Sequence, residues 1–182
     1  MNKADWRKHI KNQLCHFPQA EKIRQSDAVQ RELEQMPAFA QAKTVLLFWS
    51  LPDEVCTHRL IEKWAETKTI LLPVVTGEEL HLRKFCSADT MTCGCFNIQE
   101  PAVENFTDFD RIDVAIIPAL AFDKNGVRLG RGKGFYDRLL LRIKAPKIGI
   151  CFDFQLLEKL PADAWDVKMD DVITSRFVCA IK

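Results

Sequence analysis

Apolar and polar positions along this chain fall into alternating blocks that predict helices and strands in turn. Residues 3–15 and 18–36 read as two helices broken at Phe17–Pro18, since proline suits a first helical turn but not an interior. In the second helix Ile23, Val29, Leu33 and Met36 form a rough apolar face among charged neighbours. "KTVLLFW" (43–49) is apolar enough for a buried strand. "VCTHRLIEKWAET" (55–67) follows with Leu60, Ile61, Trp64 and Ala65 at helical spacing. "TILLPVV" (69–75) reads as the next strand, and "ELHLRKF" (79–85) alternates like a half-exposed one. Further on, 111–118 is a buried strand, 134–144 a helix, and 147–152 and 172–180 complete the set.

Strands that alternate with helices and lack polar alternation indicate a mainly parallel sheet covered on both faces. No repeat, low-complexity tract or linker rich in Gly, Pro or Ser divides the chain. One α/β domain over residues 1–182 is the expected architecture.

Composition narrows the function classes. The 182 residues are 47% apolar and 28% charged, with a net charge of +1. No global basic field suggests nucleic acid or a membrane surface, so any anion site must come from a local cluster. The N-terminus lacks an apolar core of signal-peptide length. The longest nearly apolar run, 114–122, is broken by Pro118 and too short to span a bilayer. Cytoplasmic residence is expected. Seven cysteines (15, 56, 86, 93, 95, 151, 179) are an odd number, scattered as reduced thiols would be. The "CGC" at 93–95 lacks the two further ligands a metal site needs. Histidines 9, 16, 58 and 81 are dispersed and suit surface or packing roles.

One stretch stands out chemically. "GVRLGRGKGFYDRLL" (126–140) lies between the strand ending near Pro118 and the helix beginning near Gly134. That connection runs to about sixteen residues where α/β loops usually take 2 to 6, at the strand end where open sheets place ligands. "FDKNG" (122–126) supplies a tight turn. Gly130, Gly132 and Gly134 remove Cβ atoms, so backbone N–H groups are free to face a ligand, and the next helix adds its dipole. Arg128, Arg131 and Lys133 add full charges for phosphate oxygens. Neither a Walker loop nor a dinucleotide fingerprint fits the glycine spacing. On spacing alone a polyphosphate cradle and a flexible basic surface turn both stand.

The whole block "IIPALAFDKNGVRLGRGKGFYDRLL" resembles the signature of the 5-formyltetrahydrofolate cyclo-ligase family, also called 5,10-methenyltetrahydrofolate synthetases. The resemblance implies a three-layer α/β/α domain of the NagB/RpiA/CoA transferase-like kind. It also implies ATP as co-substrate, Mg²⁺ as cofactor, and a monomer with only small-molecule partners. "NKADWRKHI" looks like the family's N-terminal helix, making Lys3 and Arg7 phosphate contacts; residues four apart do share a helix face. The resemblance adds Arg128, Leu129, Gly130, Arg131, Gly132, Lys133, Gly134, Phe135 and Tyr136 to the ATP site. "LLFWSLPDEVCT" is similar to the folate-contacting segment, with Trp49 as an apolar contact and Glu54 as the pterin's carboxylate; Arg131 through Phe135 would also touch this substrate. "DAWDVKMDDVIT" resembles the acidic segment that pairs Asp166 with Asp137 at the metal.

Lys133 and Arg131 are the implied stabilisers of the transferring phosphoryl group, and Tyr136 lines or orients rather than acting as a base. The chain departs from the family's usual pattern at Trp165 (His), Phe135 (Tyr) and Lys133 (Gly). Rival readings are another phosphate-dependent α/β enzyme and a non-catalytic folate or nucleotide binder on the same scaffold.

Overall fold

Asn2 starts the first helix, α1 (Lys3–His16), with a reciprocal cap: its side chain accepts the Asp5 N–H at 2.9 Å while the Asp5 carboxylate accepts its own N–H at 3.3 Å. The helix stops at Phe17, held extended before Pro18, and α2 (Gln19–Gln35) begins directly after. A short α3 (Pro37–Ala40) leads to β1 (Thr44–Leu46). The computed structural model describes residues 1–94 and 99–181. Cys95 of the "CGC" pair lies outside them.

The remaining elements are α4 (His58–Trp64), β2 (Thr69–Thr76), β3 (Glu79–Lys84), β4 (Met91–Cys93), β5 (Gln99–Pro101), β6 (Asn105–Phe106), β7 (Val114–Ile117), β8 (Ala121–Asp123), β9 (Arg128–Leu129), α5 (Phe135–Leu140), β10 (Lys147–Ile150), β11 (Leu156–Leu157), β12 (Asp171–Ile173) and β13 (Val178–Ala180). Among the described residues, eight strands form one sheet in the order β13-β12-β10-β7-β1-β2-β3-β6. The middle from β12 to β2 is parallel, and β13, β3 and β6 join antiparallel at the edges.

Strand residues alternate between two cores, which is why each central strand reads as an unbroken apolar run. Val45, Ile70, Val114 and Ile116 meet Ile10, Leu33, Leu60 and Ile61 from α1, α2 and α4. Leu46, Leu71, Ala115 and Ile117 meet Leu139 and Leu140 of α5, with Ile143 beyond it. Helices therefore cover both faces, as the patterning predicts.

Several boundaries differ from expectation. Residues 172–180 are a hairpin rather than one strand: Val172 pairs with Cys179, and the Thr174 hydroxyl accepts the N–H groups of Arg176 and Phe177 to turn the chain. The helix expected over 134–144 is regular only over Phe135–Leu140, so its dipole is weaker than the sequence reading supposed. The long connection after β7 carries its own strands, a three-stranded sheet in the order β11-β8-β9. Its turn is built on Asp123, fully buried, whose Oδ1 accepts the N–H of Asn125 (2.8 Å) and Val127 (2.9 Å) and whose Oδ2 accepts that of Leu160 (2.8 Å). Gly126 turns there with φ of 78°, and a Cβ on it would lie 2.5 Å from the Met169 carbonyl.

Candidate active site

The chain ends of the central strands open onto a cavity of about 570 Å³. Segments far apart in sequence supply its wall. α1 contributes Lys3 and Arg7, one helical turn apart. The segment after β1 contributes Trp49 and Glu54. β9 and the loop behind it bring Arg128, Leu129, Gly130, Arg131, Gly132, Lys133 and Gly134, and the start of α5 brings Phe135, Tyr136 and Asp137. Asp166 arrives from the stretch before β12. Every residue singled out in the sequence as a site candidate thus lines one cavity.

Cations and acids on this wall are paired in specific ways. Lys3 Nζ donates to Asp166 at 2.6 Å and to Asp163 at 2.7 Å, joining α1 to the segment before β12. Arg7 Nε donates to the Gly130 carbonyl at 2.9 Å, tethering the glycine-rich loop to α1. The Arg128 guanidinium is buried and forms a very short ion pair with Asp137. It also lies 5.4 Å from the Tyr136 ring centre, a cation–π contact. Its Nε is the one buried side-chain polar atom without a partner among the described residues. Arg131 reaches Asp53 at 2.6 Å and Glu54 at 3.1 Å. Lys133 is exposed and pairs with no acid among the described residues.

The three loop glycines serve different ends. Gly132 and Gly134 have φ of 102° and 69°, a region that favours glycine. Gly130 is needed for space instead, because a Cβ there would sit 2.8 Å from Arg128 Nη1. Room that the sequence pattern assigns to a ligand is here taken by Arg128.

Environment sets the protonation of the site's acids and phenol. Burial raises the Glu54 pKa above the usual carboxylate range, with Arg131 and the Leu51 N–H (3.0 Å to Oε2) opposing. Burial likewise pushes the Tyr136 phenol well above its ordinary value, the Glu54 charge adding and Arg128 opposing. Tyr136 stays neutral and has no means of acting as a base near neutral pH. Trp49 stacks on His58 at 4.1 Å and on Phe85 at 5.9 Å. His58 bonds the Ser50 carbonyl at 3.0 Å, and burial lowers its pKa, so it stays a neutral ring that steadies Trp49.

One half of the cavity is basic and glycine-rich, and the other is aromatic and carboxylate-bearing. The 5-formyltetrahydrofolate cyclo-ligase family model matches residues 1–175. The chain belongs to this family. The 5-formyltetrahydrofolate cyclo-ligase of Escherichia coli K12 is 36% identical over 147 residues, covering 76% of this chain and 81% of that protein. The Haemophilus influenzae protein of the same name is 34% identical over 142 residues, covering 73% and 76%. A solved Aquifex aeolicus structure described as 5,10-methenyltetrahydrofolate synthetase superposes with a TM-score of 0.91 at 35% identity, covering all of this chain and 94% of that one.

Sequence reasoning about this cyclo-ligase family member missed part of the wall. Asp163 lies only three residues before Asp166, and its spacing in "DAWD" was a readable signal. Asp53, off the cavity lining itself, was missed too: it takes the Arg131 guanidinium at 2.6 Å beside Glu54. Glu100, Pro73, Val75 and Leu80 also line the cavity, and nothing local in the sequence marks them. Trp165, the departure from the family's usual His, lines the cavity while 69% exposed.

Proposed function

We propose that this chain converts 5-formyltetrahydrofolate and ATP into 5,10-methenyltetrahydrofolate, ADP and phosphate. The observation that carries the reading is convergence: the basic glycine-rich loop and α1 meet the Trp49–Glu54 segment on one cavity. The same reading takes residues 1–182 as one domain acting as a cytoplasmic monomer, which size-exclusion chromatography and cell fractionation would check.

The formyl group on N5 is an amide, with a weakly electrophilic carbon and an oxygen that leaves poorly. Transfer of the γ-phosphoryl group to that oxygen gives an imidate-like phosphate. N10 then attacks the same carbon, closing the five-membered ring and giving up its proton, and the C–O bond breaks to release phosphate and leave the methenyl amidinium. Phosphoryl transfer needs positioning and charge neutralisation more than covalent help. Lys133, exposed and unpaired, is the cation best placed to meet the transferring group, with Arg131 beside it. Arg7, through its bond to Gly130, holds the loop against α1. Neutral Tyr136 and Phe135 line the wall and exclude water.

The residues present fit Mg²⁺ as a partner of the nucleotide. No group of three or more His, Cys, Asp or Glu is placed to hold a metal by itself among the described residues. Asp137 and Asp166, however, put hard oxygen donors on the wall, as suits an ion that arrives with phosphates. Five cations (Lys3, Arg7, Arg128, Arg131, Lys133) also face five carboxylates there (Glu54, Glu100, Asp137, Asp163, Asp166), so a triphosphate needs an added cation. Bound there, Mg²⁺ would neutralise charge on the phosphate oxygens.

The test follows absorbance of the methenyl product from 5-formyltetrahydrofolate, Mg²⁺ and ATP. ATP-dependent product is expected, with Lys133→Ala slower by about 10²–10³-fold, the usual loss when one transition-state donor is removed. Binding of both substrates without product would make the chain a binder and overturn the proposal.

A further inference from the structure

Among the described residues, Trp165 is the one aromatic residue of the cavity wall that stands exposed; Phe48, Trp49, Phe135 and Tyr136 are buried or half-buried. Three of those four rings have partners: Trp49 stacks on His58 and Phe85, Tyr136 faces Arg128, and Phe135 faces Arg138. The Trp165 indole is 69% exposed and meets no ring, cation or hydrogen-bond acceptor among the described residues. Its mounting is nevertheless fixed. The Asp166 N–H donates to the Asp163 carbonyl at 3.1 Å and the Asp163 N–H to Asp166 Oδ2 at 2.7 Å, closing a turn that carries Trp165. Lys3 binds both carboxylates and so pins that turn to α1. A flat ring laid on this indole would therefore meet a surface already held in place, with little further ordering to oppose binding.

Position selects which ring. Lys3 and Arg7 share one face of α1, and the glycine-rich loop runs against it. Arg7 Nε holds the Gly130 carbonyl, and a Cβ on Gly132 would lie 3.5 Å from the Arg7 guanidinium carbon. This is the basic end of the cavity, and Trp165 immediately precedes the Asp166 that binds Lys3. The Trp49–Glu54 end is built by a different segment. With its phosphates on Lys3, Arg7 and the loop, a nucleotide has its base one ribose away. Every base has a π face, and indole is a broad stacking surface for it. We infer that Trp165 is the platform on which the base of the nucleotide stacks, a specificity-determining residue supplied by this chain where the family usually has the smaller ring of His. The assignment rests on the ATP reading above and adds a base contact to it.

The experiment titrates MgATP and magnesium tripolyphosphate, which has no base, calorimetrically into wild type, Trp165→Ala and Trp165→Phe. Trp165→Ala is expected to bind MgATP about 5- to 100-fold more weakly, as loss of one stacked base predicts, with tripolyphosphate affinity unchanged. Trp165→Phe keeps a ring face and should retain most of the MgATP affinity. Fluorescence gives a second readout that does not depend on how well the Ala variant folds. MgATP should quench indole emission in wild type, and should change it far less in Trp165→Phe, which keeps Trp6, Trp49 and Trp64. Full MgATP affinity in folded Trp165→Ala, an equal loss for tripolyphosphate, or the same quenching in wild type and Trp165→Phe overturns the assignment. So does a loss of 5-formyltetrahydrofolate affinity in place of MgATP affinity, which would put a ring of the folate on Trp165. Binding of neither MgATP nor tripolyphosphate by folded wild type overturns the ATP reading itself.

Discussion

Gly130 shows how much rests on a single absent methyl group. The Arg128 guanidinium fills the space a Cβ would need, and from there it holds Asp137 at the head of α5. Gly130→Ala should therefore push Arg128 off Asp137 and displace the cradle. Misplacement on the ångström scale costs about 10²-fold in rate, so kcat/KM for ATP should fall by that order, and disturbing a buried ion pair should lower the melting temperature as well. Unchanged kinetics would show the site tolerates the shift. Glu54 supports a pH prediction. Its raised pKa means the fold favours the protonated acid, so its contribution is complete below the usual carboxylate value and is lost as pH rises through the raised one. Glu54→Gln never ionises. Its melting temperature should match wild type in acid and exceed it increasingly toward neutral pH. A difference that does not vary with pH would remove burial as the cause.

At the scale of elements, the β8–β9 hairpin carries the cradle and Asp123 carries the hairpin. One buried side chain closes three backbone N–H groups, on Asn125, Val127 and Leu160. Asp123→Ala leaves all three unsatisfied, each costing about 1–3 kcal/mol. A total of about 3 kcal/mol or more corresponds to a fall of about 6–12 °C in melting temperature for a chain of this size. Thermal denaturation by circular dichroism would measure it, and a fall of about 2 °C or less would mean water replaces the carboxylate. The "FDKNG" turn was legible in the sequence, but only as a turn. Its reach to Leu160 was not.

Across the whole molecule, the site is assembled from α1, the segment after β1, the glycine loop and the stretch before β12. Lys3 and Asp166, 163 residues apart, meet at 2.6 Å. A ligand that bridges these parts must stabilise the fold by mass action. Mg²⁺ and ATP at a hundred times the dissociation constant should add about 2.7 kcal/mol, or about 5–11 °C. Lys3→Ala should bind about tenfold more weakly and lose about half of that shift at the same concentration. A full shift in the variant would separate Lys3 from the phosphates.

The order of the main helices and strands, the two-sided sheet and the glycine-rich loop were legible because each is written in neighbouring residues. An apolar run or a Gly-x-Gly-x-Gly stretch states its own preference through backbone sterics and burial. Other features arose only from packing between distant segments. They include the hairpin within 172–180, the use of Gly130 as room for Arg128, the pairing of Lys3 with Asp163 and Asp166, and the placing of Glu100 on the cavity wall. Local pattern determines what an element is. Which side chains come to share a cavity depends on contacts across the sheet, and a periodicity of two or 3.6 residues carries no record of those.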